Sequence, residues 1–210
     1  FVFDDLTNIL RNEWIKDWRL LGQAFTHHAA GFDPSYSTSF YRPMMHVLYA
    51  AVYAMVGAKP WAYHLLNVAF HLLAVRGVYL LVRAALARWG DPARHSHLPL
   101  VAAIVFCVHP VHTEPVLWVA GITDLAYATL GVFALIAYLQ AFRRVGFAPL
   151  AGALLFVSLL SKETGAVFLP LMVLLEWIDA RGSHAWRPGS AVMRIAPALR
   201  RDEREFWAEF

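Results

Sequence analysis

Two histidines and a carboxylate, His109, His112 and Glu114, stand together in the run HPVHTEP between long apolar stretches. Imidazole and carboxylate are the side chains suited to taking up and releasing a proton near neutral pH. Prolines at 110 and 115 make the run a tight turn that projects these groups towards a shared cleft. Zinc chemistry fits poorly, because His-x-x-His lacks the i, i+4 spacing and the general-base glutamate of HExxH. Further ionisable groups interrupt apolar sequence elsewhere: the adjacent acids Asp4 and Asp5, Arg42 before Pro43, Asp124, and Lys162-Glu163 within SKETG. Adjacent carboxylates can divide labour, one taking a proton from an attacking hydroxyl while the other holds substrate or a cation. They serve equally well as a solvated cap before Thr7-Asn8. Interfacial packing explains the histidines, an ion pair or outer turn explains Lys162-Glu163, and a membrane anchor explains Arg42. The residue types alone do not separate these readings.

The elements that hold these groups are membrane segments. Of 210 residues, 59% are hydrophobic and 16% charged, with a mean hydropathy of +0.49. A soluble domain carries about a quarter charged residues. A net charge of +3 gives no nucleic-acid signature. The single cysteine, Cys107, can form no internal disulfide. The opening FVFDDLTN lacks the basic-then-apolar order of a cleavable signal, and no internal repeat is present. Apolar stretches run over 44–56, 61–82, 98–108, 125–142 and 147–178, the last split by SKETG.

Arginines set the orientation. Arg83, Arg88 and Arg94 follow the second stretch, Arg143 and Arg144 the fourth, and Arg181, Arg187 and Arg194 the last. Excess positive charge marks cytoplasmic loops. Spans at 61–82, 98–108, 125–142, 147–160 and 165–178 then alternate, and 44–56 becomes a short helix dipping into the membrane from the first outer loop. Every acid or base noted above falls on the outer face. That segregation argues against a channel or transporter, which would string ionisable groups along a path. Leu10, Trp14, Trp18, Leu21 and Phe25 recur at helical spacing and predict an interfacial helix in the outer loop. His64, Asn67 and His71 share one face of the 61–82 helix, which favours packing through hydrogen bonds.

FVFDD, YRPMMH, PWAYHLLNVAFHLL, HPVHTEPVLWVAGITDL and SKETG, in that order, resemble the motifs of the transmembrane O-mannosyltransferases with tetratricopeptide repeats and of their bacterial relatives. These enzymes belong to the GT-C superfamily of polyprenol-dependent glycosyltransferases. The likeness extends to about Trp177. It implies an all-α integral membrane protein, a multi-span bundle of GT-C type with a first outer loop of interfacial helices. Residues 1–60 form that loop with the acidic pair, 61–180 a bundle of about five spans, and 181–210 a polar cytoplasmic tail. The implied activity is inverting transfer of a sugar, a hexose such as mannose, from a polyprenyl phosphate to a protein hydroxyl on the outer face. The implied partners are membrane lipid, the lipid-linked donor and a protein acceptor or partner membrane subunits, with no nucleic acid.

By similarity the acidic pair is the catalytic motif, with Asp5 or Asp4 as base. His109, His112 and Glu114 shape the site. Lys162 and Arg42 are candidates for the donor phosphate, and Asp124 and Glu163 complete the substrate-binding set. A magnesium or manganese ion at the carboxylates is admissible but not implied. Alanine- and arginine-rich loops favour a bacterial inner membrane with the site facing the periplasm; the endoplasmic reticulum and its lumen are the alternative. One motif departs from the family: Ile122 and Thr123 occupy the GITD turn, where an arginine usually stands. The family's first membrane helix precedes FVFDD, and its later helices and repeats follow the region of likeness. These differences carry the competing expectation of a degenerate, non-catalytic GT-C-like subunit with a structural or assembly role.

Overall fold

Prolines open four of the principal helices, at positions where a missing N–H costs nothing. The computed structural model describes Phe1, residues 4–33 and residues 38–182. The polar tail from 183 onward, with Arg187 and Arg194, lies outside the described residues. Among the described residues there is no strand. The α-helices are α1 (Pro43–Val56), α2 (Pro60–Trp89), α3 (Leu98–Val108), α4 (Thr113–Leu117), α5 (Ile122–Ala141), α6 (Ala148–Ser161) and α7 (Phe168–Gly182).

Two helical segments, Pro60–Trp89 and Val119–Ala141, are long and apolar enough to cross a bilayer. A third span exists if Leu98–Val108 and Pro110–Leu117, bent by 50° to one another, count together. The 147–178 run breaks at Lys162, whose backbone is extended (φ −159°, ψ 141°). At 1.5 Å per residue, the 14-residue α6 is about 21 Å long, short of the roughly 30 Å hydrocarbon layer. The five expected spans are thus represented by two full-length helices, one bent pair and shorter apolar helices.

α5 lies between α2 and α6, while α3 packs on α2. Close approach depends on small residues, as is usual between membrane helices. A Cβ at Gly131 would fall within 1.9 Å of the Phe168 ring, so only glycine lets α7 seat against α5 here. Ser158 Oγ donates to the Tyr127 carbonyl at 2.8 Å and Thr129 Oγ1 to the Phe70 carbonyl at 3.0 Å, joining α6 to α5 and α5 to α2. The C-terminal ends of α2 and α5 also meet. Arg143 donates to the Ala87 carbonyl at 3.4 Å, and Arg88 lies over the Phe142 ring.

The segment before α2 packs against the starts of α2 and α5 around a shared core, in which Ile9, Ile15, Tyr49, Tyr63, Val119 and Ile122 are buried together. The interfacial helix expected across Leu10 to Phe25 does not form. Short turns at Leu6–Leu10, Glu13–Ile15 and Leu21–Phe25 replace it. Asn12 Oδ1 accepts from the Trp14 amide and Asp17 Oδ1 from the Arg19 amide, and such local bonds compete with helix continuation. Trp14 is buried as a result, while Trp18 stays 63% exposed.

Asn67 fastens the stretch between α3 and α5. Its Nδ2 donates to the carbonyls of Pro115 (3.1 Å), Trp118 (2.7 Å) and Val119 (3.4 Å). The Tyr49 hydroxyl donates to the same Val119 carbonyl at 3.0 Å. The Trp118 and Val119 carbonyls also accept from the Gly121 and Ile122 amides of the local 3-10 turn, so the side-chain donors tie an already bonded turn to α2 and α1.

Two predictions follow from these buried polar groups. Asn67→Ala removes the shared donor at a cost of about 1–3 kcal/mol. Amide exchange at Val119–Gly121 should accelerate by roughly 5- to 150-fold, with α6 unaffected; unchanged exchange would show that the clamp holds nothing. His46, fully buried, accepts from Asn12 Nδ2 through Nδ1 at 2.9 Å. Burial lowers its pKa from 6.5 to about 4, partly offset by the Ala29 backbone, which stops short of a full hydrogen bond to Nε2. Between those values the unfolded loop binds more protons than the folded one, so stability is complete above 6.5 and falls as the pH drops towards 4. The full effect is roughly 3 kcal/mol. Exchange at residues 12–15 should show that acid loosening, and His46→Gln should abolish the dependence.

Candidate active site around the His109–Pro115 turn

His109 ends α3 in an extended conformation (φ −66°, ψ 128°), and its Nδ1 accepts from the Val111 amide at 3.2 Å. Pro110 then starts a 3-10 turn to His112, and α4 follows from Thr113. His112 packs on the Phe106 ring, with centroids 4.2 Å apart, and tilts against His71 at 5.3 Å. Its pKa lies below the usual value, first through desolvation and then through the neighbouring His71 and His109.

Two spaces flank the turn. An open groove of about 920 Å³ is lined by Asp4, Pro110, Val111, Thr113, Glu114, Leu117 and Trp118. A more enclosed pocket of about 360 Å³ lies between α2, α3 and α5, and includes His71, His112, Glu114, Trp118, Asp124 and Tyr127. Val111, Glu114 and Trp118 belong to both. Of the residues expected at a site, the structure thus brings Asp4 and Glu114 to one groove, and His112, Glu114 and Asp124 to one pocket. His109 borders a third, almost wholly apolar groove between α2 and α3, of about 700 Å³.

The two aspartates separate. Asp4 is exposed to the groove. Asp5 is 1% exposed and its Oδ1 accepts from the Ala120 amide at 3.0 Å. Adjacent residues in a helical turn point in different directions, so burying one leaves the other outside.

Both expected phosphate-binding cations have acidic partners. Lys162 Nζ lies 2.6 Å from Asp124 Oδ1, and Arg42 lies 3.0 Å from Glu163 Oε1 while covering the Phe40 ring. The hydrogen bond from Arg42 holds the Glu163 carboxyl below its usual pKa, against a smaller opposing effect of burial. Among the described residues, no three His, Cys, Asp or Glu side chains group as a metal site.

Sequence reasoning assigned His71 and Asn67 to packing. Asn67 fastens the motif loop, and His71 lines the enclosed pocket. Their i, i+4 spacing on one face was the signal. Trp118, also unassigned, borders both spaces.

No family model matches the chain, and no solved structure does. Curated proteins do. It is 32% identical to protein O-mannosyl-transferase TMTC4 of Mus musculus over 176 residues, which is 80% of this chain and 24% of that protein. It is 31% identical to TMTC3 of Mus musculus over 189 residues, covering 87% of this chain and 20% of the relative. For Tmtc1 of Drosophila melanogaster the values are 32% over 186 residues, 87% and 21%. The chain spans about a quarter or less of the length of these relatives. With its apolar spanning helices it is a membrane protein, and through most of its length it is a homologue of the protein O-mannosyl-transferases of the TMTC kind.

Proposed function

We propose that this chain handles donor and acceptor in a membrane glycosyltransferase of GT-C type, moving a hexose such as mannose from a polyprenyl phosphate to a protein serine or threonine hydroxyl. The observation that carries this reading is the shared wall. Glu114 faces both the open groove, which also holds Asp4, and the enclosed pocket, which also holds His112 and Asp124. Two substrates can meet across it. The acceptor enters from the groove, and its hydroxyl oxygen attacks the anomeric carbon. The bond from that carbon to the phosphate oxygen breaks, the lipid phosphate leaves as an anion, and Asp4 takes the hydroxyl proton. Glu114 orients the acceptor. Asp5, tied to Ala120, holds the acidic turn against the motif loop. A single displacement inverts the anomeric centre.

The names of the relatives support the reaction class. The arginines support the outer side. Arg83, Arg88, Arg143 and Arg144 cluster at the inner ends of α2 and α5, while the groove lies at the end where α5 begins. On this reading residues 1–60 are the outer loop and 61–180 the membrane bundle, with the site facing the periplasm or lumen.

A non-catalytic assembly role draws on a different observation: Lys162 and Arg42 are both taken by carboxylates, and GITD lacks an arginine, so neither of the two cations expected at a phosphate is free for one. One experiment separates the two. In membranes supplied with polyprenyl-phosphate mannose and an acceptor peptide, Asp4→Asn should abolish transfer. Asp5→Asn should retain a measurable fraction, because an amide oxygen still accepts from Ala120. Transfer unaffected by Asp4→Asn would remove the proposed base, and no transfer by the unmutated chain would favour the assembly role.

A further inference from the structure

Two residues that line the enclosed pocket, His71 and Trp118, each carry a buried polar atom without a partner in the protein. His71, only 8% exposed, contacts the Cys107 carbonyl through Nε2 at 3.2 Å. A carbonyl only accepts, so Nε2 carries the proton and Nδ1 of the neutral ring is an acceptor. That Nδ1 is buried without a partner, and so is the donor Trp118 Nε1. An unsatisfied buried polar group costs about 1–3 kcal/mol. Such groups persist where a ligand supplies the missing bond, as in sites built to hydrogen-bond a substrate hydroxyl.

The donor set restricts the ligand. Glu114 and Asp124 border the pocket, which disfavours an anion. The indole N–H requires an acceptor oxygen, which a simple cation lacks. A ring of hydroxyls both donates and accepts, and its C–H faces suit the aromatic walls of Phe106, Trp118 and Tyr127. Phe106, Val111 and His112 also belong to the apolar groove, which continues along α2 and α3 past Val105, Ala102 and Val101 to Val82 and Leu98. A polar pocket opening into an apolar channel at membrane depth matches one molecule with a polar head and a hydrocarbon tail.

Resting on the glycosyltransferase reading above, we infer that His71 and Trp118 read the hydroxyls of the donor's sugar in the pocket between α2, α3 and α5, while its isoprenoid chain leaves along the α2–α3 groove. His112 stands at the junction, where the phosphate lies, with His109 beside it on the groove side. An entering phosphate would favour the protonated imidazolium of His112, which the unliganded protein disfavours.

Binding of undecaprenyl-phosphate mannose and of unglycosylated undecaprenyl phosphate to the full chain in nanodiscs tests this. His71→Ala and Trp118→Phe should each weaken the glycosylated lipid about tenfold and leave the plain lipid phosphate unchanged, which also reports that the variants are folded. Ala102→Trp, which obstructs the groove, should weaken both lipids alike. If the unmutated chain prefers the glycosylated lipid but both pocket variants bind it normally, the sugar lies elsewhere; this assignment falls and the glycosyltransferase reading stands. If the unmutated chain binds neither lipid, the donor reading falls and takes this assignment with it.

Discussion

A chain that leaves helical geometry at the edge of a bilayer must find donors for the carbonyls it exposes, because hydrocarbon offers none. Between α3 and α5 short 3-10 bonds meet part of that need, and one side chain adds the bonds that tie the stretch to α2. Asn67 spreads its amide over Pro115, Trp118 and Val119, and Tyr49 adds its hydroxyl to Val119. Asp5 closes the arrangement from the other direction by accepting from Ala120. Through these bonds three distant parts of the chain, the acidic turn, α1 and α2, converge on one loop. The positions of Glu114 and Trp118, and hence the wall between the two spaces, depend on that anchoring. Asp5 and Asn67 therefore shape both spaces without lining either.

The ion pairs do a related job further round the outer face. Lys162 stands at the extended break between α6 and the turn leading to α7, and it reaches Asp124 in the first turn of α5. Arg42 precedes α1 and reaches Glu163, 121 residues later. Both pairs keep considerable exposure, so each contributes at most about 1 kcal/mol in water. Their effect is positional. They fix the break in the 147–178 run against α5 and α1.

Much of this organisation was legible in the sequence, for identifiable reasons. An ionisable residue within apolar sequence carries a cost that only a partner or a function offsets, so HPVHTEP and SKETG declared themselves by composition. Other features were out of reach. Which of Asp4 and Asp5 faces outward depends on where Ala120 lies, 115 residues downstream. The partners of His71 and Asn67 lie 36 to 52 residues away, so on their own helix these residues look like ordinary packing positions. The outer-loop helix was misjudged because aromatic periodicity outweighed Asn12 and Asp17, whose side chains bond to nearby amides and break the continuity.

The bend at Pro110 is what makes room for a site. A straight helix from Leu98 to Leu117 would pass as one more span and would close against α2 along its length. Proline lacks the N–H that would otherwise be lost at the break, and His109 caps the new turn through its own Nδ1, so the interruption is locally satisfied. The 50° change of direction carries α4 over the ends of α2 and α5. The enclosed pocket lies below that cover and the open groove lies above it. The apolar groove runs along the unbent part, between α3 and α2. A single locally satisfied kink thus separates a polar compartment from a hydrocarbon-lined one and keeps them joined at His112.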